Sequence, residues 1–326
     1  MAVRAGLRGP TEVKVVEVAA AVILRPDGSF LLGQRAADTF YPGYWEFPGG
    51  KVEPGETPRD ALVRELHEEL EIEVQSATPW IVREHVYEHA HVRLHFFRVT
   101  AWTGELRDHV HAALEWQRPG ATTVAPMLPA NAPVLAALEL PDAYGVTHAW
   151  QTGAEAQLAQ LDSALARGLR LVQLREGLLP EMQRESFAAA AVARCRQHGA
   201  RVLVNGDAQL ARAIGADGLH LPARQLMALD RRPPFPLVAA SCHDRHELER
   251  AARLGLDFAV LGPVRATTTH PGQAGIGWTG FEDRVRGLSL PVYAIGGLGP
   301  DDLAAALRAG AQGIAAIRAA WENPAA

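Results

Sequence analysis

Cysteine is scarce in this chain: Cys195 and Cys242 are the only two in 326 residues. They lack metal-site spacing, so they argue against a disulfide framework and a thiolate metal centre, and they fit a reducing compartment. Long apolar runs are missing too. No stretch reaches the roughly 20 residues that a membrane helix needs. The opening segment, MAVRAGLRGPTEVK, has no apolar core of the secretory kind. The expectation is a cytoplasmic protein with no membrane partner. Basic runs are also absent: 32 Lys and Arg stand against 37 Asp and Glu, a net charge of −5. That argues against non-specific nucleic-acid binding through a cationic surface. What is present is 48% apolar and 21% charged, the balance of a globular chain. Its length suits two domains, and no low-complexity segment separates them.

The most informative run is GKVEPGETPRDALVRELHEELEI, residues 50 to 72. With Arg64 to Leu70 on a helix, Glu65, Glu68 and Glu69 fall at i, i+3 and i+4 and share one face. Like charges at that spacing repel by roughly 0.2–0.5 kcal/mol per pair. A cation among the carboxylates relieves the repulsion, and grouped hard oxygen donors suit Mg²⁺ together with substrate phosphates. The simpler alternative is a solvated acidic helix face.

Around this run the sequence predicts strands at Val15–Leu24, Phe30–Gln34, Trp80–Tyr87 and Val92–Trp102. The turn Pro26-Asp27-Gly28 joins the first two. A helix is expected over Thr57–Leu70, and a short one through Leu138 begins at Pro129-Ala130-Asn131-Ala132-Pro133. After Pro141 the texture changes. Eight short apolar runs alternate with Ala-rich amphipathic stretches: Tyr144–Thr147, Leu171–Leu174, Val202–Val204, Gly218–Leu221, Leu237–Ser241, Phe258–Leu261, Val292–Ile295 and Gly313–Ala316. Such alternation implies parallel βα units, and eight of them imply a small (βα)₈ barrel. The expected domains are residues 1–140 and 141–326, both α/β.

Residues 50 to 72 resemble the Nudix box, the signature of hydrolases of nucleoside diphosphates linked to another moiety. The resemblance implies an α/β/α sandwich with a mixed sheet. It assigns Glu65, Glu68, Glu69 and the Gly49 carbonyl to Mg²⁺, with Mn²⁺ as a substitute, and pairs Glu56 with Arg64 as a brace. The family places Gly where this chain has Glu71, so an altered helix end is expected. Gln34-Arg35-Ala36-Ala37-Asp38, Trp45-Glu46-Phe47-Pro48-Gly49-Gly50-Lys51, Glu115-Trp116 and Pro129-Ala130-Asn131 are similar to the MutT-type 8-oxo-dGTP diphosphatases. That likeness implies Asn131 on a purine edge, Arg35 at the base or its flank, Phe47 and Lys51 at the substrate, and Glu115 near the metals. Each has a simpler structural reading: Asn131 as a helix cap, Phe47 as core, Arg35 as a solvated strand-end charge. The implied reaction is metal-assisted hydrolysis of a nucleoside triphosphate, with Glu68 or Glu115 taking the proton.

Residues 143 to 326 resemble thiamine phosphate synthases and their TenI-like relatives. The likeness runs through Val172-Gln173-Leu174-Arg175-Glu176, Leu203-Val204-Asn205, Gly215 to Leu221, Ser241-Cys242-His243, Thr267-Thr268-Thr269 and Ala294-Ile295-Gly296-Gly297. It implies a phosphate or ligand site at Gln173, Arg175, Asn205, Thr267, Thr269, Gly296 and Gly297. Several family positions differ. A Lys that holds pyrophosphate is Gly177, a second Lys is His270, and the tautomerase His is Pro263. Gly206 intervenes before Asp207, where the first Mg²⁺ Asp belongs. Pro222-Ala223-Arg224-Gln225 offers no second one. The expectation is a degenerate barrel that binds a thiamine-related phosphate. The leading function is hydrolysis of 8-oxo-dGTP for nucleotide-pool sanitising and DNA repair. Alternatives are hydrolysis of pyrimidine or thiamine diphosphates, and a thiamine phosphate sensor with slow hydrolysis.

Overall fold

A computed structural model describes residues 15–267 and 274–322. Thr269, with Thr268 and His270, lies outside the described residues. The chain divides into two compact units. One holds the chain up to Asn131, except Thr78–Ile81 and Arg118–Thr122, which group with the chain from Ala132 onward.

In the first unit β1 (Val15–Ile23) and β2 (Phe30–Gln34) follow the expected turn, where Asp27 Oδ1 accepts from the N–H and hydroxyl of Ser29 (3.0 and 2.6 Å). Then come β3 (Trp45–Glu46), β4 (Gly49–Lys51), α1 (Pro58–Leu70), β5 (Glu73–Val86), β6 (His91–Thr103) and β7 (Ala113–Gln117). A four-stranded sheet runs β4-β1-β6-β5, and a three-stranded one β3-β2-β7. β1 is parallel to β6 and antiparallel to β4, so the first sheet is mixed. β3, β4 and β7 were not among the expected strands. The first two are too short to show a period of two, and β7 exposes Glu115 between inward Leu114 and Trp116. β5 begins earlier than expected because its polar first half, Glu73 to Thr78, carries no apolar alternation.

Helix α1 starts where local chemistry places it. Thr57 accepts from the N–H of Asp60, and Pro58 fills the first turn, where no intrahelical donor is needed. Ala61, Leu62, Leu66 and Leu70 are buried against Ala19, Ala21, Ile23, Leu31 and Val99. The opposite face carries the carboxylates. The helix end corrects the expectation of an altered terminus. Glu71 takes the left-handed conformation of a glycine cap (φ 53, ψ 30) and donates its N–H to His67 O. That costs on the order of 1 kcal/mol. Its side chain meets His109 Nε2 at 2.8 Å, while the N–H groups of Arg107 and His109 cap Leu70 O and Glu69 O at 3.0 Å.

The second unit has α2 (Ala132–Leu138) as its first helix. Its strands are β8 (Ala143–Val146), β9 (Leu171–Leu174), β10 (Arg201–Asn205), β11 (Gly218–Leu221), β12 (Leu237–Cys242), β13 (Phe258–Leu261), β14 (Val292–Ile295) and β15 (Gly313–Ala316). They close into one parallel barrel in which β15 meets β8. All eight expected strands are present. The intervening helices are α3 (Ala149–Thr152), α4 (Ala154–Ala166), α5 (Glu181–Gln197), α6 (Ala208–Ala213), α7 (Ala223–Ala228), α8 (Arg245–Arg253), α9 (Gly277–Val285) and α10 (Leu303–Arg308). Tyr144, Leu203, Phe258, Val260 and Tyr293 fill the interior. Cys195 and Cys242 are buried free thiols.

One polar group sits inside that apolar filling. His220 is fully buried, with Tyr144 Oη 3.2 Å from Nδ1 and Ser241 Oγ 2.8 Å from Nε2. Gln173 Nε2 donates to the Tyr144 hydroxyl at 3.2 Å. A neutral imidazole offers one donor and one acceptor, so the chain is satisfied without charge. Burial, with Arg175 adding to it, pushes the His220 pKa down to about 3. In the unfolded chain it titrates near 6.5. Between those values the unfolded state binds the extra proton, so stability is lost as pH falls. The loss is up to about 1.4 kcal/mol per pH unit. Stability measured from about pH 7 to 5 should therefore fall less steeply in His220→Gln than in the parent. Parallel slopes would show that His220 is not held neutral.

Candidate functional site

The acidic face of α1 lies against β4, and two glycines make the approach possible. Gly49 (φ 136) donates its N–H to Glu69 Oε2 at 3.1 Å, and a Cβ there would stand 2.2 Å from Ala19 O. A Cβ on Gly50 would stand 2.2 Å from the Glu65 carboxyl carbon. Arg64 organises the rest. Its guanidinium reaches Glu56 (3.0 and 3.1 Å), Glu65 (3.0 Å), Glu68 (3.3 Å) and the carbonyl of Lys51 (3.0 Å). The expected Glu56–Arg64 brace is thus present. Hydrogen bonding to Arg64 holds the Glu56 carboxyl below its ordinary range, and the same bond raises Arg64.

Glu69 differs from its neighbours. Burial, against the opposing N–H of Gly49 and aided by the charges of Glu65, Glu46 and Asp108, pushes its pKa up to about 8. The charges of Glu65, Glu46 and Asp108 thus add to burial at Glu69. Among the described residues no three His, Cys, Asp or Glu side chains converge as a finished ligand set; Glu65 and Glu68 are turned onto Arg64. The donor chemistry nevertheless fits a hard divalent cation, because every available group is an oxygen and the charge is in excess.

The other expected residues divide. Arg35 is not a solvated charge. It binds both oxygens of Glu46 at 2.6 Å and the carbonyl of Phe40 at 2.5 Å. Burial raises the Glu46 carboxyl and Arg35 opposes that rise. Phe47 is core, packed between the rings of Phe30 (5.9 Å) and Phe96 (5.6 Å). Asn131 is 2% exposed and donates from Nδ2 to Trp45 O at 3.3 Å, tying its segment to β3. Lys51 is exposed. Glu115 is exposed on β7, opposite Leu32. The carboxylates acting on Glu69 are instead Glu65, Glu46 and Asp108. Asp108 and Glu46 were missed; the Trp45-Glu46-Phe47 motif carried the signal of Glu46, while Asp108 is the one acid of residues 106–112.

At the C-terminal end of the barrel a cavity of about 350 Å³ has Arg175, Thr267, Gly296 and Gly297 among its walls. Gln173 and Asn205 do not line it: Gln173 points into the interior network. Arg318, a further wall residue, has no counterpart in the motifs.

A NUDIX domain model matches residues 14–138, and a thiamine monophosphate synthase model matches residues 143–320. The chain belongs to both families. The NUDIX part is 44% identical over 131 residues to the CTP pyrophosphohydrolase of Escherichia coli K12, spanning 38% of this chain and 92% of that one. The barrel is 33% identical over 185 residues to the thiamine-phosphate synthase of Thioalkalivibrio sulfidiphilus, spanning 56% of this chain and 88% of that one. The solution structure of the E. coli ORF135 protein is 42% identical, covers 39% of this chain and 91% of that one, and has a TM-score of 0.34. The N-terminal part is thus a NUDIX hydrolase and the second a thiamine-phosphate-synthase-like barrel. No helix among the described residues is long and apolar enough to cross a membrane.

The close approach of β4 to the NUDIX helix yields a direct test. Gly50→Ala should displace the Glu65 carboxylate and lower kcat/KM about tenfold or more, about 1.4 kcal/mol, with the circular dichroism spectrum unchanged. Parental kinetics in that variant would show that Glu65 does not need the position seen here.

Proposed function

We propose that the NUDIX domain is a divalent-cation-dependent nucleoside triphosphate pyrophosphohydrolase that releases a nucleoside monophosphate and pyrophosphate. The Glu65, Glu68 and Glu69 face of α1, pressed against Gly49 and Gly50, carries this reading. Those carboxylates and the Gly49 carbonyl would hold Mg²⁺ or Mn²⁺. Such an ion supplies charge neutralisation on the phosphates and acidifies water. Arg64, fixed by Glu56, positions Glu65 and Glu68. The N–H of Gly49 orients Glu69. Glu68 is the most exposed carboxylate bound to Arg64 and takes the proton of the attacking water. Asp108, whose charge acts on Glu69, supports the site. Lys51 meets phosphate charge at the exposed edge of β4.

The base is read beside the Arg35–Glu46 pair. Three substrate classes divide the possibilities. A buried carboxamide at Asn131 suits the edge of an oxidised purine, which favours 8-oxo-dGTP. The E. coli relative is named for CTP, and a carboxylate such as Glu46 accepts from the cytosine amine. The fused barrel keeps a third class in play, the pyrimidine and thiamine diphosphates. The barrel itself we read as a binding module for a small phosphorylated molecule, with the domain boundary near Pro141.

Steady-state kinetics on 8-oxo-dGTP, dGTP, CTP and hydroxymethylpyrimidine diphosphate, side by side with Mg²⁺, separates these readings. A hundredfold lead in kcat/KM, roughly 2.7 kcal/mol, assigns the leading base. Glu68→Gln should reduce turnover on the order of a thousandfold while leaving the fold intact. Near-parental turnover in that variant removes the proposed site.

A further inference from the structure

Helix α1 ends on a left-handed residue that is a glutamate. Glu71 (φ 53) and Tyr41 (φ 56) are the two non-glycine residues with positive φ among the described residues. Glycine adopts this conformation without strain. The side chain of Glu71 meets His109, but both side chains are nearly half exposed. An exposed ion pair of that kind adds little stability, so stability does not account for a glutamate here. What the contact fixes is the position of a segment.

That segment, residues 104 to 112, joins β6 to β7. At its start Gly104 (φ 96) passes so close to the helix end that a Cβ there would stand 2.8 Å from Glu71 O. Glu71 then holds two residues at once. Its Oε1 meets His109 Nε2 at 2.8 Å, and its Oε2 accepts from Arg107 at 3.4 Å. The competing acid, Glu105, is farther from Arg107, at 3.9 Å. The backbone N–H groups of the same two residues bind Leu70 O and Glu69 O, both at 3.0 Å. The far end is anchored on β2. The His111 side chain is 5% exposed and lies over Gly33, where a Cβ would stand 2.2 Å from the ring. Ala112 donates its N–H to Gln34 O at 2.8 Å.

Asp108 stands between the two residues that Glu71 holds. Its Oδ1 accepts from the N–H groups of Val110 (3.2 Å) and His111 (2.9 Å) and lies 3.1 Å from His111 Nδ1. The carboxylate is thereby oriented, and its charge reaches Glu69.

We propose that Glu71 is a positioning residue of the NUDIX site: by holding Arg107 and His109 it sets Asp108 beside the carboxylates of α1. The strain of a left-handed glutamate is kept because glycine would leave the segment without its side-chain anchor. The inference rests on the reading of the α1 face as the hydrolytic site.

The test sets Glu71→Gly, Glu71→Gln, Asp108→Asn and the Glu71→Gly/Asp108→Asn pair beside the parent. The full chain is used, with Mg²⁺ and CTP or 8-oxo-dGTP, whichever the parent hydrolyses faster. Glu71→Gly should lower kcat about tenfold with KM within about twofold, while its unfolding temperature stays at or above the parental one. Glu71→Gln keeps an acceptor for both partners and should recover about half of the lost kcat or more. In the pair, Glu71→Gly should cost no more than about twofold beyond Asp108→Asn alone, because both changes act through one carboxylate. Without metal or substrate, amide exchange at Arg107 and His109 should quicken about fivefold or more in Glu71→Gly, with Leu62 to Leu70 unchanged. Unchanged exchange at those two amides overturns the clasp itself. Parental kcat in Glu71→Gly, or full multiplication of the two losses in the pair, overturns the positioning role. A fall in unfolding temperature that tracks the loss of kcat in both Glu71 variants assigns a structural role instead and also overturns it. A parent that hydrolyses neither nucleotide, or parental kinetics in Glu68→Gln, overturns the reading of the α1 face and the inference with it.

Discussion

Like-charge crowding on one face of α1 is the constraint from which the NUDIX half is built. Glu65, Glu68 and Glu69 stand within one turn of each other, and Arg64 answers only part of their charge. It draws Glu65 and Glu68 to itself and is anchored in turn by Glu56 and the Lys51 carbonyl. Glu69 is left facing a peptide N–H in a buried, carboxylate-rich setting, which is why its affinity for a proton is so high. A group that binds a proton so readily for electrostatic reasons also welcomes a divalent cation.

The fold holds that crowding in place from below. Leu62, Leu66 and Leu70 fasten α1 to the sheet, and β4 pairs with β1 in a register that sets Gly50 opposite Ala19. Both glycines are required by space, Gly49 by the Ala19 carbonyl and Gly50 by the Glu65 carboxylate. At the far end of the helix Glu71 shows that the left-handed cap is imposed by the surroundings. The chain accepts a strained non-glycine residue because the Arg107 to His109 segment caps the last carbonyls.

Periodicity made the barrel legible. Parallel strands buried on both faces read as short apolar runs, so all eight were visible before their pairing was known. The acidic face of α1 was equally plain, because i, i+3, i+4 spacing needs only a helix. Pairwise partners were not. Arg35, just past the end of β2, and Glu46 on β3 are 11 residues apart, and Asn131 reaches back 86 residues to Trp45. Nothing in local spacing encodes such meetings. Glu115 and Asp108 show the same limit: both are acids near one loop, and only the strand alternation of β7 decides which is turned away. Arg318 was invisible because a lone arginine after an apolar strand has no motif.

The two halves gather opposite charge at their candidate sites. The NUDIX helix gathers carboxylates whose donor chemistry suits a metal, while the barrel mouth has the guanidiniums of Arg175 and Arg318 among its walls. Titration of Mn²⁺ into the full chain, followed by electron paramagnetic resonance, tests the first of these most directly. Mn²⁺ should bind the parent, and Glu69→Gln should weaken that binding about tenfold or more, since a carboxylate ligand contributes at least about 1.4 kcal/mol. Equal Mn²⁺ affinity in parent and variant would contradict the assignment of the α1 face as a cation site.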